Sequence, residues 1–557
     1  MDKLTVEVIR NAAVYASEEM GVVLRRTAYS PNIRDRLDYT CAVLTPAGDL
    51  VAQAEHIPVH IGSMSIGVKQ VARWLSERGV SLAPGDVVLT NDPYLSGTHL
   101  NDVTVLKPVY HDGEIVAIVA NKAHHVDVGG AVPGSIGGPA RSLLEEGLVV
   151  PPVKIVKAGR VDEEILEVLK SNVRTPRFLE GDLRAQLASL TVGERRIREL
   201  AVKYGPRQLL EAWSVILDYS ERYARSRIRS LGVEGSWTSE DYLELDGGEA
   251  RIRAELTVKD GNVTVDYTGS SPQVDEPLNA VYGVTVAATV FALKAVVDPD
   301  MPVNQGFFRA VRIVAPEGSI VNPRRGAPVS GGNVETSQRI ADVVFRALAQ
   351  ALPGRVPAAS CGTMTNVMIG GGGPSEPWAF YETIGCGQGA RPGKDGMDGV
   401  QTNMTNTLNT PIERLEAEYP ILFRRYGLRP DSEGPGEYRG GLGITRAFTL
   451  TRGRATLTIM AERCRRRPWG LQGGLPGEPS HHYIVRRDGS VETLPCKATV
   501  TIEEGDTFYI NTPGGGGLGD PCKRDPQLVE RDLEEGKITR ERARVNYCYT
   551  SGEGAPS

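Results

Sequence analysis

The chain has 557 residues, with 63 Lys+Arg against 69 Asp+Glu for a net charge of −6, and 40% of its residues are hydrophobic. That balance gives no electrostatic reason to expect nucleic acid or an anionic membrane as partner, and the apolar content argues against a disordered chain. Glycine is abundant at 63 residues, but no G-X-Y period runs through it, which excludes collagen.

Residues 4–28 place Leu4, Ile9, Ala12, Ala13, Ala16 and Met20 near the 3.6-residue period and are expected to be helical. Their mixed charges lack the basic-then-apolar order of a signal peptide. Strands are expected at 39–44, 87–89, 103–109 and 115–120, making an αβ region over 1–160. Residues 161–245 are strongly charged and read as several helices. Residues 246–430 are mixed, with alternating strands about a turn at Asp260-Gly261-Asn262 and a helix starting near Val334. The apolar stretch 280–297 is interrupted by Tyr282, Gly283, Thr285, Thr289 and Lys294, so it predicts a buried helix rather than a membrane span. Residues 431–557 change to short strands and glycine turns, followed by two short helices broken at Gly536 and a frayed tail. The expected fold class is mixed α/β, or α+β: a large multi-lobed chain with a β-rich C-terminal region.

The seven cysteines (Cys41, Cys361, Cys386, Cys464, Cys496, Cys522 and Cys548) are scattered, odd in number and free of any CxxC pair. Neither a disulfide framework nor a Cys-type zinc site is expected, and the protein is read as cytoplasmic with reduced thiols. Cys386 is read as a core thiol. Gly514 to Gly519 formally match GxGxxG, and Gly370 to Gly373 form a second run. Neither is followed by Lys-Ser/Thr, so no P-loop is present, and the glycines are expected to serve turns or close backbone approach.

Histidine placement carries the chemistry. Six of the eight histidines fall between residues 56 and 125, among carboxylates. Imidazole and carboxylate are the ligands of catalytic Zn²⁺, Mn²⁺ or Fe²⁺ sites. His99 and Asp102 lie in a loop running into a strand; His124, His125 and Asp127 follow another. Adjacent strand residues face opposite ways, so His124 and His125 should not share one ion, and spacing alone does not choose between them. His56 and His60 flank Pro58, which argues against a helix, so both read as supporting residues. His111 reads as a turn residue, and His481 and His482 as surface or structural. On spacing, a metal site and a hydrogen-bonded loop cluster both stay open.

LDYTCAVLTPAGDLVAQ, IPVHIGSM, GDVVLTNDPYLSGTHLNDVTVLKPV, ANKAHHVDVGG, GGNVETSQRIADVV, NTPIERLEAEYP, the RPDSEGPGEYRGGLG block and TPGGGGLGDP occur here in one order. Together they resemble the hydantoinase B/oxoprolinase family, which includes the B subunit of ATP-dependent hydantoinases and is related to the acetone carboxylase α subunit. The resemblance implies a divalent metal, Zn²⁺ or Mn²⁺, held by Asp38, His99, Asp102 and His124 in the N-terminal region. It leaves His125 and Asp127 as general-base candidates. It also implies a hetero-oligomer, such as A2B2, with a hydantoinase A-type subunit that binds ATP and Mg²⁺ and phosphorylates a small cyclic amide. A ketone carboxylase of the acetone or acetophenone type, and a scaffold subunit with a structural metal, are the alternatives.

Overall fold

A computed structural model describes residues 2–54, 56–372 and 376–550. The tail at 551–557 and Gly373 lie outside the described residues. Among the described residues, four sheets and the helices between them form the mixed α/β fold.

The N-terminal sheet contains β1 (Tyr39–Leu44), β2 (Leu50–Ala54), β3 (Val87–Thr90), β4 (Asp102–His111), β5 (Glu114–His124), β6 (Val153–Lys157) and β7 (Arg160–Val161). Their order is β2-β1-β5-β4-β3-β6-β7, with every pair antiparallel. Side-chain alternation sends Cys41, Val43, Val105 and Val119 to one face. There they meet the helices Lys3–Thr27, Pro176–Tyr204 and Pro206–Arg229. Ala42, Leu44, Leu106, Ile118 and Ala120 go to the other face, into the larger core.

That core contains the helices Tyr282–Val297 and Ser337–Ala351. The first is apolar almost all round and buries Val284, Ala287, Ala288, Val290 and Leu293. At 16 residues it is ~24 Å long, short of the ~30 Å hydrocarbon layer. Among the described residues, no helix is long and apolar enough to cross a membrane. A π-helical turn, Gly332–Thr336, precedes the second helix where the sequence predicts continuous α-helix from Val334. A 15-residue helix, Ser63–Glu77, which the residue pattern did not suggest, packs under the larger core.

Further along, Asn366–Gly371 pairs with both Trp378–Thr383 and Arg454–Met460, so strands from either side of residue 430 share one sheet. Five more strands, from Ile421–Leu428 to Thr507–Asn511, complete the β-rich region.

The cysteines depart from expectation. Cys361–Cys386, Cys464–Cys496 and Cys522–Cys548 are disulfides, and Cys41 alone is free and buried. Six of the seven thiols expected to be reduced are therefore joined, and Cys386 is not a core thiol. The partners stand 25, 32 and 26 residues apart, so tertiary folding brings them together and no local spacing announces them.

Candidate metal centre

β1 and β4 begin, and β5 ends, at the same end of the sheet. Asp102 opens β4 and His124 closes β5, and the two are cross-strand partners. Asp38 immediately precedes β1, and its carbonyl accepts the His124 N–H at 3.0 Å. The residue before it, Leu37, has φ 61°, which turns the chain out of the short helix Pro31–Arg34. His99 enters from a loop released by Gly97 at φ 86°. The Asp102 N–H donates back to the His99 carbonyl at 3.1 Å, setting the His-x-x-Asp spacing as a turn.

His99 Nε2, His124 Nδ1 and Asp102 Oδ1 form a triangle with edges of 3.2, 3.3 and 3.5 Å. Donors around one tetrahedral ion at 2.0–2.1 Å sit roughly 3.3–3.4 Å apart. Asp38 Oδ2 lies 3.8 Å from His124 Nδ1. All four residues are buried. His99 Nδ1 contacts the Ser330 carbonyl at 3.3 Å; donation there leaves the Nε2 lone pair directed into the triangle. Asp102 Oδ1 accepts no hydrogen bond although it is wholly buried. An orphaned carboxylate oxygen facing two imidazoles fits a cation in that space. Asp38, His60 and Asp102 form a second group with one ligand atom of each within 4.8 Å of the others, and His60 stands against the other Asp102 oxygen, Oδ2, at 3.2 Å.

The electrostatics point the same way. Burial pushes the His99 pKa down, but Asp102 and Asp38 outweigh it and the net shift is upward. Burial lowers His124 and so favours its neutral form. Asp102 is held well below the carboxylate range, because His99 and His60 overcome the burial that would raise it. An ionised Asp102 and a neutral His124 are the protonation states in which these groups ligate a divalent ion, and a cation would replace the proton that His99 is otherwise inclined to keep.

Alternation separates His125 from His124. His125 faces the helical side, with Nε2 2.9 Å from Gln186 Oε1. Asp127 accepts from the Gly129, Gly134 and Arg174 backbone N–H groups and from the Arg174 guanidinium, all at 3.0 Å. These contacts do not support a general base at either residue. Asp127 has its acceptors engaged in holding a loop, and His125 points away from the triangle.

One supporting side chain, His60, is where the sequence places it, and several others escape the sequence reading. His60 bridges Thr40 Oγ1 at 3.1 Å and Asp102 Oδ2 at 3.2 Å, and Asn333 Nδ2 reaches the same oxygen at 3.4 Å. Tyr381 stacks on His124 at 4.7 Å between ring centroids. Lys122, wholly buried, donates to the Ser96 carbonyl at 2.9 Å, tying the His99 loop to β5, and burial pulls its pKa to about 8. The signal for Lys122 was present, since a lysine two residues before His124 in a strand shares its face. Ser330, Asn333 and Tyr381 carry no local signal.

The Hydantoinase B/oxoprolinase family model matches residues 2–521. An uncharacterized protein of Methanocaldococcus jannaschii is 53% identical over 98% of this chain and 96% of its own length. The 5-oxoprolinase 1 of Arabidopsis thaliana is 37% identical over 93% of this chain, which spans only 42% of that protein. The B subunit of a putative D-/L-hydantoinase from a Pseudomonas species is 33% identical, over 99% of this chain and 95% of its own. Among solved structures, the ATP-dependent caprolactamase from Pseudomonas jessenii is 30% identical, with a TM-score of 0.92 over 100% of this chain and 97% of the other. Nucleotide-free acetone carboxylase superposes with a TM-score of 0.91, over 99% of this chain and 80% of that one, but at 18% identity it speaks to the fold alone. Matched over nearly all its length in sequence and in fold, this chain belongs to the hydantoinase B/oxoprolinase family.

Proposed function

We propose that this chain is the hydrolytic, metal-dependent subunit of an ATP-dependent cyclic-amide hydrolase that opens a hydantoin, 5-oxoproline or lactam ring. The observation that carries the reading is the buried triangle of His99, Asp102 and His124, with Asp38 beside it. It occurs in a chain whose relatives include a 5-oxoprolinase, a hydantoinase component and a caprolactamase. The ketone-carboxylase alternative rests on a likeness of fold only.

An amide is a poor electrophile, and phosphorylating its oxygen creates a leaving group. We assign that step to an A-type partner holding ATP and Mg²⁺. Supporting this division, Gly514–Gly517 here lie against other backbone rather than open to a phosphate: a Cβ on Gly514 would meet the Ser432 carbonyl at 1.7 Å.

Asp38, His99, Asp102 and His124 would hold the divalent ion, zinc or manganese. Bound there, it supplies a Lewis acid that makes water nucleophilic near neutral pH. Ser330 fixes the His99 tautomer, and His60 and Asn333 hold one Asp102 oxygen so that the other stays free. Tyr381 sets the plane of His124. Burial of all four acidic and imidazole groups keeps bulk water from competing for the donors.

The test combines the chain with an A-type partner, ATP and Mg²⁺, offering hydantoin, 5-oxoproline or caprolactam in parallel with a ketone plus bicarbonate. ATP-dependent ring opening is expected. Bicarbonate-dependent acid formation would instead establish the carboxylase reading. Elemental analysis of wild type and His99→Ala checks the ligands: equal metal content in both would sink the assignment. A His99→Ala protein that lost metal yet kept full activity would make the ion structural and the chain a scaffold.

A further inference from the structure

A second group of metal-ligating side chains lies in the β-rich region. Cys464 follows the strand Arg454–Met460, His482 lies in His481–Val485, and Cys496 precedes Lys497–Glu503. Backbone hydrogen bonds fix their approach. The Ala461 N–H donates to the Cys496 carbonyl at 2.9 Å, and the Ser480 N–H donates to the Arg463 carbonyl at 2.8 Å. One ligand atom from each of Cys464, His482 and Cys496 lies within 4.8 Å of the other two. The two cysteines form a disulfide with their Cα atoms 5.9 Å apart.

His482 is the anomaly. It is wholly buried, and neither ring nitrogen has a hydrogen-bond partner. Its cross-strand neighbours, Leu494 and Ile510, are apolar and offer nothing to either nitrogen. Buried polar groups are almost always partnered, and an exception calls for an ion, water or redox role. Burial holds its pKa down to about 3, so the ring is neutral, the form that binds metals. Cys464 and Cys496 line a cleft of about 590 Å³ bounded also by Met460, Arg465 and Lys497. Of the three disulfides, this is the only one with a histidine at ligand distance among the described residues.

We propose that reduction of the Cys464–Cys496 disulfide turns this cluster into a second metal site, in which two thiolates and His482 hold a zinc-class ion with a fourth position open to the cleft. A dithiol reductant delivers two electrons and two protons to the S–S bond and leaves as its own disulfide. The two thiols then release two protons as the ion binds. Two sulfurs and one imidazole favour Zn²⁺, whereas the carboxylate-rich set at His99 also accepts harder ions. The oxidised pair has no thiolate to offer, so the site is gated by redox state.

Cobalt(II) tests this independently of the first site, which contains no sulfur. The chain is reduced with excess dithiothreitol, desalted anaerobically and titrated with Co²⁺. One equivalent should develop a thiolate-to-cobalt charge-transfer band in the reduced chain and none in the oxidised chain. His99→Ala should keep the band, C464S/C496S should lack it, and His482→Ala should bind that equivalent at least ~10-fold more weakly. Reduced wild type without the band overturns the proposal. So does a band that survives in C464S/C496S, or one whose affinity is unchanged in His482→Ala.

Discussion

At the scale of single residues, three positions separate holding a metal from holding the fold. His60 touches Asp102 through Nε2, and removing it leaves that oxygen to Asn333 alone. His60→Ala should weaken metal affinity by about 10–100-fold while leaving the stoichiometry unchanged. Competition against a chelator reads this. Complete loss of the ion would instead move His60 into the ligand set with Asp38 and Asp102. Asp127→Ala should behave oppositely. It strips a buried carboxylate from Arg174 and three backbone amides. Because Arg174 is partly exposed, the cost should be ~3 kcal/mol, the low end for a broken buried pair, with metal content unchanged. Urea unfolding and elemental analysis on one preparation check both halves. His56 concerns acid stability. Its ring packs 4.5 Å from that of Tyr39, and burial pulls its pKa to about 4 from 6.5. The neutral ring is the one the fold accepts. Its contribution is complete above pH 6.5 and lost as pH falls toward 4, by at most ~3 kcal/mol. His56→Gln should therefore lose less stability than wild type between pH 7 and pH 4.5 in urea titrations.

At the scale of elements, the strands that carry the site were largely legible. The alternation rule correctly set His124 and His125 on opposite faces. It could not say which of the two faces Asp102 and His99, because that depends on which core each face meets. The expected strand 115–120 in fact runs on to His124, since Asn121 and Lys122 are polar yet satisfied inside: Asn121 donates to the Gln186 carbonyl and Lys122 to that of Ser96. Polar residues at a strand end read as loop when their partners lie 65 or 26 positions away. The same limit hid Ser330 and Asn333, which arrive over 200 residues after Asp102 by way of the π-helical turn. That turn depends on Gly332, where a Cβ would stand 1.9 Å from the Asn279 carbonyl. Neither backbone can move freely, because Asn279 Nδ2 is itself bonded to the Pro328, Val274 and Glu276 carbonyls. Gly332→Ala should displace the turn and with it the contacts to His99 and Asp102. The expected result is a loss of stability of about 1–3 kcal/mol accompanied by weaker metal binding. Unchanged metal affinity in a destabilised variant would detach the turn from the site.

At the scale of the whole molecule, the glycine excess becomes a packing device. Five stretches, near 385–389, 396–399, 434–443, 470–477 and 514–519, run against one another with backbone hydrogen bonds between them. Gly434 donates to Gly515, Gly515 to Gly441, Gly441 to Gln388 and Gly517 to Leu475. The chains approach so closely that no side chain fits. A Cβ on Gly515 would meet the Gln388 carbonyl at 2.1 Å, and one on Gly516 the Trp469 carbonyl at 2.1 Å. Composition announces such glycines but not their partners, because the stretches that meet are separated by up to about 130 residues of ordinary strand and turn. The opposing atoms at Gly515 are main-chain atoms already held in hydrogen bonds, so the clash cannot be relieved by rotating a flexible side chain. Gly515→Ala should therefore cost ~3 kcal/mol or more, near the upper end for overpacking. An exposed turn glycine gives the contrast: Gly453 has φ 77° and open space around its Cβ position, so Gly453→Ala should pay only the cost of a left-handed backbone, about 1–2 kcal/mol. Parallel urea titrations decide the matter. If both substitutions cost the same, the glycine-lined contact is an ordinary set of turns; a clearly larger loss at Gly515 makes it the feature that joins the five stretches.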